Sequence, residues 1–228
     1  MRKIVAGAMV SLDGVMQAPG GPDEDPTGGF KFGGWVEPHF DDTLGAALDD
    51  TFSAPFDLLL GRKTYDIFAA YWPYVEKNPE APGFVGGNAE IGEAFDRVTK
   101  YVATHSPDTL DWQKSEWLGK DLVARLRALK QEDGPILFTQ GSTVLIQQLL
   151  AAGLVDEIRL LVFPLVLGKG KRLFGEGSIP AAFKCTKSAA SPGGVLIANY
   201  ERAGEVKTGS FGDDTPTEAE LERRAKLK

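Results

Sequence analysis

Two short apolar runs, each followed by a glycine and then by a helical pattern, constrain the fold of this chain most strongly. Residues 56–61 read Phe-Asp-Leu-Leu-Leu-Gly ahead of a helix predicted over residues 62–71, and residues 136–139 read Ile-Leu-Phe-Thr ahead of one predicted over residues 143–152. A buried strand that leads into a helix is the repeating unit of parallel α/β sheets. The chain is therefore predicted to be an α/β protein with a mostly parallel central sheet and helices on both faces.

The remaining elements extend this pattern toward both termini. Further strands are predicted at residues 3–10, 100–104 and 155–163, and further helices at residues 37–51, 88–96 and 120–130. Near the carboxyl terminus, residues 183–189 and 195–200 are separated by Ser191-Pro192-Gly193-Gly194, a composition typical of a tight turn. These residues predict an antiparallel hairpin at the edge of the sheet.

Residues 1–202 contain neither an internal repeat nor a stretch that resembles an interdomain linker. They are predicted to form one domain, and a hydrophobic content of 43% is sufficient to fill its core. Residues 203–228 are polar and mixed in charge. They are predicted to form a tail that either holds a short helix from Thr217 or is disordered.

The segment from Gln17 to Trp35 contains nine glycines or prolines and is therefore predicted to be a long loop. Irregular segments of this length inside a compact domain are either functional lids or disordered. The aromatic residues Phe30, Phe32 and Trp35 favour a loop that packs against the rest of the protein.

Composition argues against several classes of function. The single cysteine, Cys185, cannot form an internal disulfide, and one cysteine with two distant histidines provides no zinc-binding spacing. A net charge of −7 argues against nucleic-acid binding. No run approaches the roughly 18 apolar residues that span a bilayer. We therefore expect a soluble cytoplasmic protein without a metal, a nucleic-acid partner or a membrane segment.

The start of the helix after residues 56–61 is the first candidate binding site. Gly61, Arg62, Lys63 and Thr64 combine the free backbone N–H groups of a helix start with two cations and a hydroxyl, which suits a phosphate. Arg62 can hold two phosphate oxygens through parallel N–H bonds. Cations are disfavoured near a helix amino terminus by about 0.3–1 kcal/mol, so their presence favours binding over a merely solvated helix start.

The second candidate site consists of Gln140, Gly141, Ser142, Thr143 and Val144, which follow another buried strand. Gly141 lets a ligand approach the backbone closely, and Ser142 or Thr143 can cap the helix that begins there. Ligands of open α/β sheets bind at the carboxyl ends of the strands. The first and second sites are therefore expected to lie close together.

Two further segments leave a functional and a structural interpretation open. Thr104, His105 and Ser106 follow a predicted strand, so His105 either contacts a nucleotide or is an exposed loop residue. Residues 168–172 read Gly-Lys-Gly-Lys-Arg, which is either a backbone nest for an anion or a flexible surface turn.

Candidate catalytic residues are carboxylates. Two histidines and one cysteine make a nucleophile–histidine arrangement a weak proposal. Asp13, Asp41, Asp42 and Asp49 lie near the ends of elements that border the predicted cleft. For each of them, a solvated surface position is the alternative.

Four segments, in order along residues 3–201, resemble the dihydrofolate reductase superfamily. The resemblance is strongest to the branch that contains the C-terminal reductase domain of the bifunctional riboflavin biosynthesis protein. The four segments are residues 11–14 (Ser-Leu-Asp-Gly), residues 60–65 (Leu-Gly-Arg-Lys-Thr-Tyr), residues 140–145 (Gln-Gly-Ser-Thr-Val-Leu), and residues 154–174, which end in Pro-Leu-Val-Leu-Gly-Lys-Gly-Lys-Arg-Leu-Phe.

The resemblance implies a dihydrofolate-reductase-like fold, NADPH as hydride donor and a homodimer. It places Ala6 near the nicotinamide and Asp13, the candidate catalytic residue, in a loop that borders the substrate. The cofactor-binding residues that it implies are Gly61, Arg62, Lys63 and Thr64 at the phosphates, Thr104, His105 and Ser106 at the adenosine, and Gln140, Gly141, Ser142, Thr143 and Val144 around the pyrophosphate.

The activity that the resemblance implies is reduction of a small pyrimidine- or pterin-like compound, as in 5-amino-6-(5-phosphoribosylamino)uracil reductase. A true dihydrofolate reductase and a catalytically silent NADP(H)-binding protein are the alternatives. Two departures bear on this choice. Dihydrofolate reductases have a Gly-Gly pair where this chain has Gly141-Ser142, and the loop over residues 17–35 alters the spacing that would identify their helix carboxylate.

Overall fold

The computed structural model describes residues 1–175, 178–212 and 215–227. Within them, eight strands form one sheet in the order β4-β3-β2-β5-β1-β6-β8-β7. The strands are β1 Ile4–Ser11, β2 Phe56–Gly61, β3 Lys100–Ala103, β4 Ser115–Trp117, β5 Ile136–Gln140, β6 Glu157–Phe163, β7 Ala182–Ala190 and β8 Leu196–Gly204. All pairs from β4 to β6 are parallel, whereas β8 pairs antiparallel with both β6 and β7. The predicted parallel sheet with an antiparallel hairpin at its edge is confirmed.

Helices pack on both faces of this sheet. They are α1 Asp42–Ser53, α2 Arg62–Ala69, α3 Gly86–Arg97, α4 Leu122–Gln131 and α5 Thr143–Ala151, whereas α6 Glu218–Ala225 has no buried residue. Successive residues of a strand point to opposite faces. Accordingly, Ile4 and Ala6 pack in a cluster with α4 and α5, while Val5 packs with Tyr65 of α2 and Phe95 of α3.

The first helix begins later than the sequence pattern predicts. Residues Glu37–His39 form a separate 3-10 turn, and Asp41 adopts an extended conformation whose side chain accepts a hydrogen bond from Leu44 N at 3.0 Å. An aspartate in this position caps a helix and fixes its start. Phe40 therefore precedes the helix and is exposed, although the pattern predicts it to face inward.

Two further elements differ from the prediction or complete it. The three-residue strand β4 was not predicted, because Ser115-Glu116-Trp117 shows no apolar run and pairs only along its β3 side. In the tail, α6 begins after Thr217, whose hydroxyl accepts a hydrogen bond from Glu220 N. The division into a domain over residues 1–202 and a tail stays a prediction.

Among the described residues, no helix has the length and apolar character required to cross a membrane.

Lys100, in the short strand β3, is completely buried. Its ammonium group donates a hydrogen bond to Gln113 O at 3.0 Å and lies 4.5 Å from the centre of the Trp112 ring. Burial disfavours the charged form and lowers the pKa of Lys100 to about 8. The core next to the parallel edge of the sheet therefore contains a lysine whose pKa lies well below that of an ordinary lysine.

This burial predicts a specific dependence of stability on pH. The unfolded chain binds the Lys100 proton up to a pKa of about 10.5, whereas the folded chain releases it near pH 8. Between these values the unfolded state holds more protons, so the free energy of unfolding gains a contribution that rises with pH. The difference between wild type and Lys100→Met, measured by urea denaturation from pH 7 to 10.5, should show this rise, whereas Lys31→Met on an exposed loop should not. A difference that is flat or falls with pH contradicts the assignment.

Candidate functional site

The carboxyl ends of the parallel strands open into one large cavity. Its volume is about 1970 Å³, and its walls include Met9 of β1 and the residues that follow β2, β3 and β5. Pockets for single small ligands are typically about 300–1,000 Å³. The cavity therefore has room for a two-part ligand, and it lies where open α/β sheets bind their ligands.

The structure brings the first and second predicted sites into direct contact. Gly61, at the end of β2, donates its backbone N–H to Ser142 Oγ at 2.9 Å. A side chain on Gly61 would lie 3.3 Å from the same oxygen, which is closer than ordinary van der Waals contact. Gly141 and Ser142 both have positive φ values, +77° and +63°, and they turn the chain from β5 into α5.

Neither α2 nor α5 has a side-chain cap at its amino terminus. Ser142 or Thr143 was expected to cap α5, but the Ser142 hydroxyl instead accepts the hydrogen bond from Gly61, and Thr143 is the first residue of the helix. The first N–H groups of both helices thus remain for another acceptor, and Thr64 and Val144, in the first turns, line the cavity. Two uncapped helix starts at one cavity are suited to an anionic ligand.

Arg62 links α2 to the segment that follows β3. Its Nε lies 2.8 Å from Asp66 Oδ1, and its terminal nitrogen donates to Ser106 O at 3.1 Å. The hydrogen bond to Asp66, one turn along α2, raises the pKa of Arg62 and offsets the unfavourable position of a cation at a helix start. Both Arg62 and Ser106 line the cavity, so the first and third predicted segments form one surface.

Thr104 and His105 lie on that same surface. The carbonyl of Thr104 accepts a hydrogen bond from the Trp117 indole at 2.9 Å, and its hydroxyl accepts one from Ser106 N at 3.0 Å. These bonds fix the turn after β3. His105 is exposed and lines the cavity. The structure thus places it within reach of a ligand.

Lys63 is engaged by a residue that the sequence did not identify. Its ammonium donates to Asp25 Oδ1 at 2.7 Å and to Thr27 Oγ1 at 3.0 Å, and Lys171 donates to the other carboxylate oxygen of Asp25 at 2.6 Å. The Asp25 side chain is only 8% exposed. Burial alone would raise the pKa of Asp25, but the bonds from Lys171 and Lys63 outweigh it and hold the pKa far below its usual range. One buried carboxylate therefore neutralises part of the charge of two lysines.

The loop over residues 17–35 is packed through a second set of hydrogen bonds. The Gln17 amide donates to the carbonyls of Asp25 and Thr27, both at 2.9 Å, and accepts from Lys171 N at 3.0 Å. The Trp35 indole donates to Gln17 O at 2.8 Å and its ring packs edge-on against Phe163. The loop forms a wall of the cavity.

Replacing Asp25 tests how much this wall depends on its carboxylate. Asp25→Asn leaves two lysines without their counter-ion, so the free energy of unfolding at pH 7 should fall by roughly 1–3 kcal/mol. A carboxyl group whose folded pKa is lowered stabilises the fold above its unfolded pKa of 3.8, and this contribution disappears as the pH falls further. The difference between the variant and wild type in urea denaturation should therefore shrink below about pH 4. Asp23→Asn, an exposed carboxylate of the same loop, is the control, and an equal effect of both variants contradicts the role of Asp25.

Asp13, the predicted catalytic residue, is used elsewhere. Its carboxylate accepts hydrogen bonds from the Ser11 hydroxyl at 2.6 Å, from Leu167 N at 3.0 Å and from Gly168 N at 2.9 Å. The Ser11 hydrogen bond in particular lowers the pKa of Asp13. Asp13 does not line the cavity, and this geometry favours a role in ordering the turn over residues 167–172. The Gly168 N–H group of the possible anion nest is occupied by Asp13 itself.

Ala6 also lies away from the cavity walls. It is 1% exposed, pairs with Thr139 of β5 and Ile158 of β6, and packs with the α5 side chains. Met9, three residues further along β1, lines the cavity instead. The part of β1 that reaches the cavity is therefore the carboxyl end of the strand.

Of the four carboxylates considered from the sequence, Asp13 included, Asp49 is the one that lines the cavity. Asp41 caps α1 and accepts from Gly193 N, and Asp42 begins the helix. Asp49 lies on the last turns of α1, beside Leu48 and Phe52, which also line the cavity. The helical spacing accounts for this position, since residues 45, 48, 49 and 52 lie on one side of the helix.

The sheet order, the edge hairpin and the cleft at the strand ends define a dihydrofolate-reductase-like α/β protein. Residues 2–197 match the family described as the RibD C-terminal domain, and the chain belongs to this family. A relative from Bacillus subtilis (strain 168), the uncharacterized protein YyaP, is 27% identical over 177 residues, which cover 76% of this chain and 80% of that protein. Membership of the family supports an oxidoreductase.

Solved structures show the same fold. A diaminohydroxyphosphoribosylaminopyrimidine deaminase/5-amino-6-(5-phosphoribosylamino)uracil reductase from Thermotoga maritima superposes with a TM-score of 0.54 at 16% identity, over 89% of this chain and 57% of that one. Dihydrofolate reductase from Enterococcus faecalis, complexed with NADP(H), superposes with a TM-score of 0.51 at 13% identity, over 88% of this chain and 96% of that one. At these identities the likeness is one of fold.

Proposed function

We propose that the protein is an NADPH-dependent reductase of a small pyrimidine- or pterin-like heterocycle. The observation that carries this proposal is the convergence of two uncapped helix starts, those of α2 and α5, on a cavity of about 1970 Å³. The family supports reductase chemistry, and the enzyme names of the two structural neighbours agree with it. The resemblance to this family also leads us to propose a homodimer that acts in the cytoplasm.

The cofactor would lie across the ends of β2, β3 and β5. The uncapped N–H groups of α2 and α5 would hold its phosphates, with Gly61 and Gly141 allowing close approach to the backbone. Arg62 would face the 2′-phosphate, next to the turn that follows β3. The complete set is Gly61, Arg62, Lys63 and Thr64 after β2, Thr104, His105 and Ser106 after β3, and Gln140, Gly141, Ser142, Thr143 and Val144 after β5. When bound, NADPH supplies the hydride.

The substrate would occupy the rest of the cavity, between α1 and α3. Asp49 takes the place of Asp13 as the candidate catalytic carboxylate, because it lines the cavity and Asp13 does not. There it can accept a hydrogen bond from a ring N–H of the substrate and hold a proton, or a water that donates one, beside the ring. Leu48 and Phe52, on the same helix face, supply apolar surface beside Asp49, which is itself exposed.

Cofactor selectivity tests the position of Arg62. Arg62→Ala should weaken NADPH binding roughly tenfold or more and NADH binding much less, because only NADPH carries the phosphate that a guanidinium can hold through two bonds. Quenching of the chain's four tryptophans during titration reports both affinities. Asp66→Asn, which removes the partner of Arg62 but keeps the guanidinium, should preserve the preference for NADPH. Equal losses for both cofactors in Arg62→Ala contradict the assignment.

Asp49→Asn tests the catalytic assignment. Loss of a general acid–base group typically lowers the rate by about 10²–10⁴-fold, so kcat should fall by that order while the dissociation constant of NADPH is unchanged. Turnover is followed by NADPH absorbance with dihydropterins, aminouracils and dihydrofolate as candidate substrates. Asp50→Asn is the matched control, because Asp50 faces away and pairs with Lys187 at 2.7 Å. Unchanged kcat in Asp49→Asn rules out the assignment, and NADPH binding without turnover of any candidate favours a catalytically silent protein.

A further inference from the structure

The charges on the cavity wall are distributed unevenly between its two ends. Four basic side chains line it, namely Arg62, Lys63, Lys120 and Lys171. Arg62 and Lys120 lie toward the end formed by the residues after β2 and β3, and Lys63 and Lys171 both bind Asp25. The positive charge of the cavity is therefore concentrated at the proposed cofactor end or already neutralised.

The opposite end is apolar and acidic. The cavity-lining residues of the fully described stretches 40–52 and 67–91 include Asp49 and Glu90 but no lysine or arginine. The basic residues of the neighbouring elements are paired outside the cavity, Lys77 with Asp96 at 2.6 Å and Lys187 with Asp50 at 2.7 Å. Within these described stretches, a ligand therefore meets two exposed carboxylates and no lysine or arginine.

Aromatic rings supply the remaining surface at this end. Phe52, Phe68 and Trp72 line the cavity and surround Phe95 at centroid distances of 5.6, 5.7 and 5.2 Å. Tyr71 lies beside them, and its hydroxyl accepts a hydrogen bond from the Asn88 amide at 3.0 Å. Rings packed in this way offer faces and edges to a flat ring system. The carboxylates add acceptors for its N–H groups.

We infer, resting on the proposed function, that the substrate is a flat nitrogen heterocycle, neutral or cationic, that carries no phosphate group. A bound NADPH would bring roughly three to four negative charges and would engage Arg62 and Lys120, the cavity cations that do not bind Asp25. A phosphate ester adds about −1.5 to −2 at neutral pH and would face Asp49 and Glu90 without a partner. Recruiting Lys63 or Lys171 would remove one of the two counter-ions of the buried carboxylate of Asp25, which is destabilising. The inference separates this chain from the phosphoribosyl substrate in the name of its Thermotoga neighbour.

Matched ligands that differ only in a phosphate test the inference. The probes are 5-amino-6-(5-phosphoribosylamino)uracil and its dephosphorylated form, and a hydroxymethylpterin with and without its phosphate. Binding is measured by isothermal titration calorimetry to the full chain, both free and saturated with NADP⁺, and turnover is measured with NADPH. We expect each unphosphorylated form to bind at least tenfold more tightly to the NADP⁺-loaded protein, with a gap that narrows as salt screens the charges.

Substitutions of Asp49 and Glu90, which form the acidic wall of the cavity, test whether their charges cause the discrimination against phosphate. The double substitution Asp49→Asn and Glu90→Gln should reduce the discrimination against phosphate several-fold in the binding assay. Glu93→Gln is the control, because Glu93 lies on α3 outside the cavity and faces Arg97. Discrimination that persists undiminished in the double variant overturns the electrostatic argument.

The outcomes separate this inference from the proposed function. Tighter binding of the phosphorylated forms, or failure of every heterocycle to bind, overturns the inference while the NADPH titration still stands. Failure of NADPH to bind overturns the proposed function. In that case, binding of the probes to the free protein still tests the acidic wall. Equal affinity for the phosphorylated and unphosphorylated member of each pair would then overturn the inference as well.

Discussion

A hydrogen bond between two neighbouring parallel strands holds together the part of the molecule on which the proposed cofactor site depends. Because β2 and β5 run side by side in the same direction, the helices that follow them begin at the same edge of the sheet. The bond from Gly61 N to Ser142 Oγ draws these starts into contact, and the space beside Gly61 leaves little room for a side chain. Ser142 thereby gives up the capping role that serines usually take, and the first turn of α5 is left for a ligand.

The wall opposite the sheet depends on a different kind of interaction. A glycine- and proline-rich loop cannot hold one conformation by backbone propensity alone, since its conformational entropy is large. Here the buried carboxylate of Asp25 binds lysines from two distant segments, and Gln17 satisfies the backbone groups around it. The same interaction neutralises part of the charge that Lys63 and Lys171 bring to the cavity wall. The conformation of the loop and the charge of the wall therefore both depend on Asp25.

The sequence predicted the elements that contain strong local signals. The strand over residues 56–61 and both strand–helix junctions were predicted correctly, because an apolar run followed by glycine and a helical period determines them locally. Asp25 and its lysines were not predicted, because residues 25, 63 and 171 are paired only by the tertiary fold. The start of α1 was misplaced because Pro38 is as common at a helix start as the capping Asp41 is. The helical period places Asp49 on the same side as Leu48 and Phe52 wherever the helix begins, but only the fold shows that this side faces the cavity.

Asp13 shows why residue type and loop position are insufficient to assign a catalytic role. Its carboxylate satisfies two backbone N–H groups of the turn over residues 167–168, a structural demand that no local pattern reveals. An ionised carboxylate with several donors is stabilised in the charged form and is a poor proton donor. Asp49 has no such donors among the described residues, and its assignment depends on the placement of a whole helix.

The edge hairpin explains how that helix is placed. At its amino terminus, α1 is capped by Asp41, which also accepts a hydrogen bond from Gly193 N in the turn between β7 and β8. At its carboxyl terminus, Lys187 of β7 pairs with Asp50, and Arg159 of β6 donates to Thr51 O at 3.5 Å, where a cation is favoured by the helix dipole. Both ends of α1 are thus anchored to the antiparallel part of the sheet, whereas the junctions proposed for the cofactor belong to the parallel part. The cavity face of α1 nevertheless reaches the parallel part, because Phe52 packs against Phe56 of β2 and Phe138 of β5. The helix therefore connects the antiparallel edge to the two strands that carry the proposed cofactor junctions.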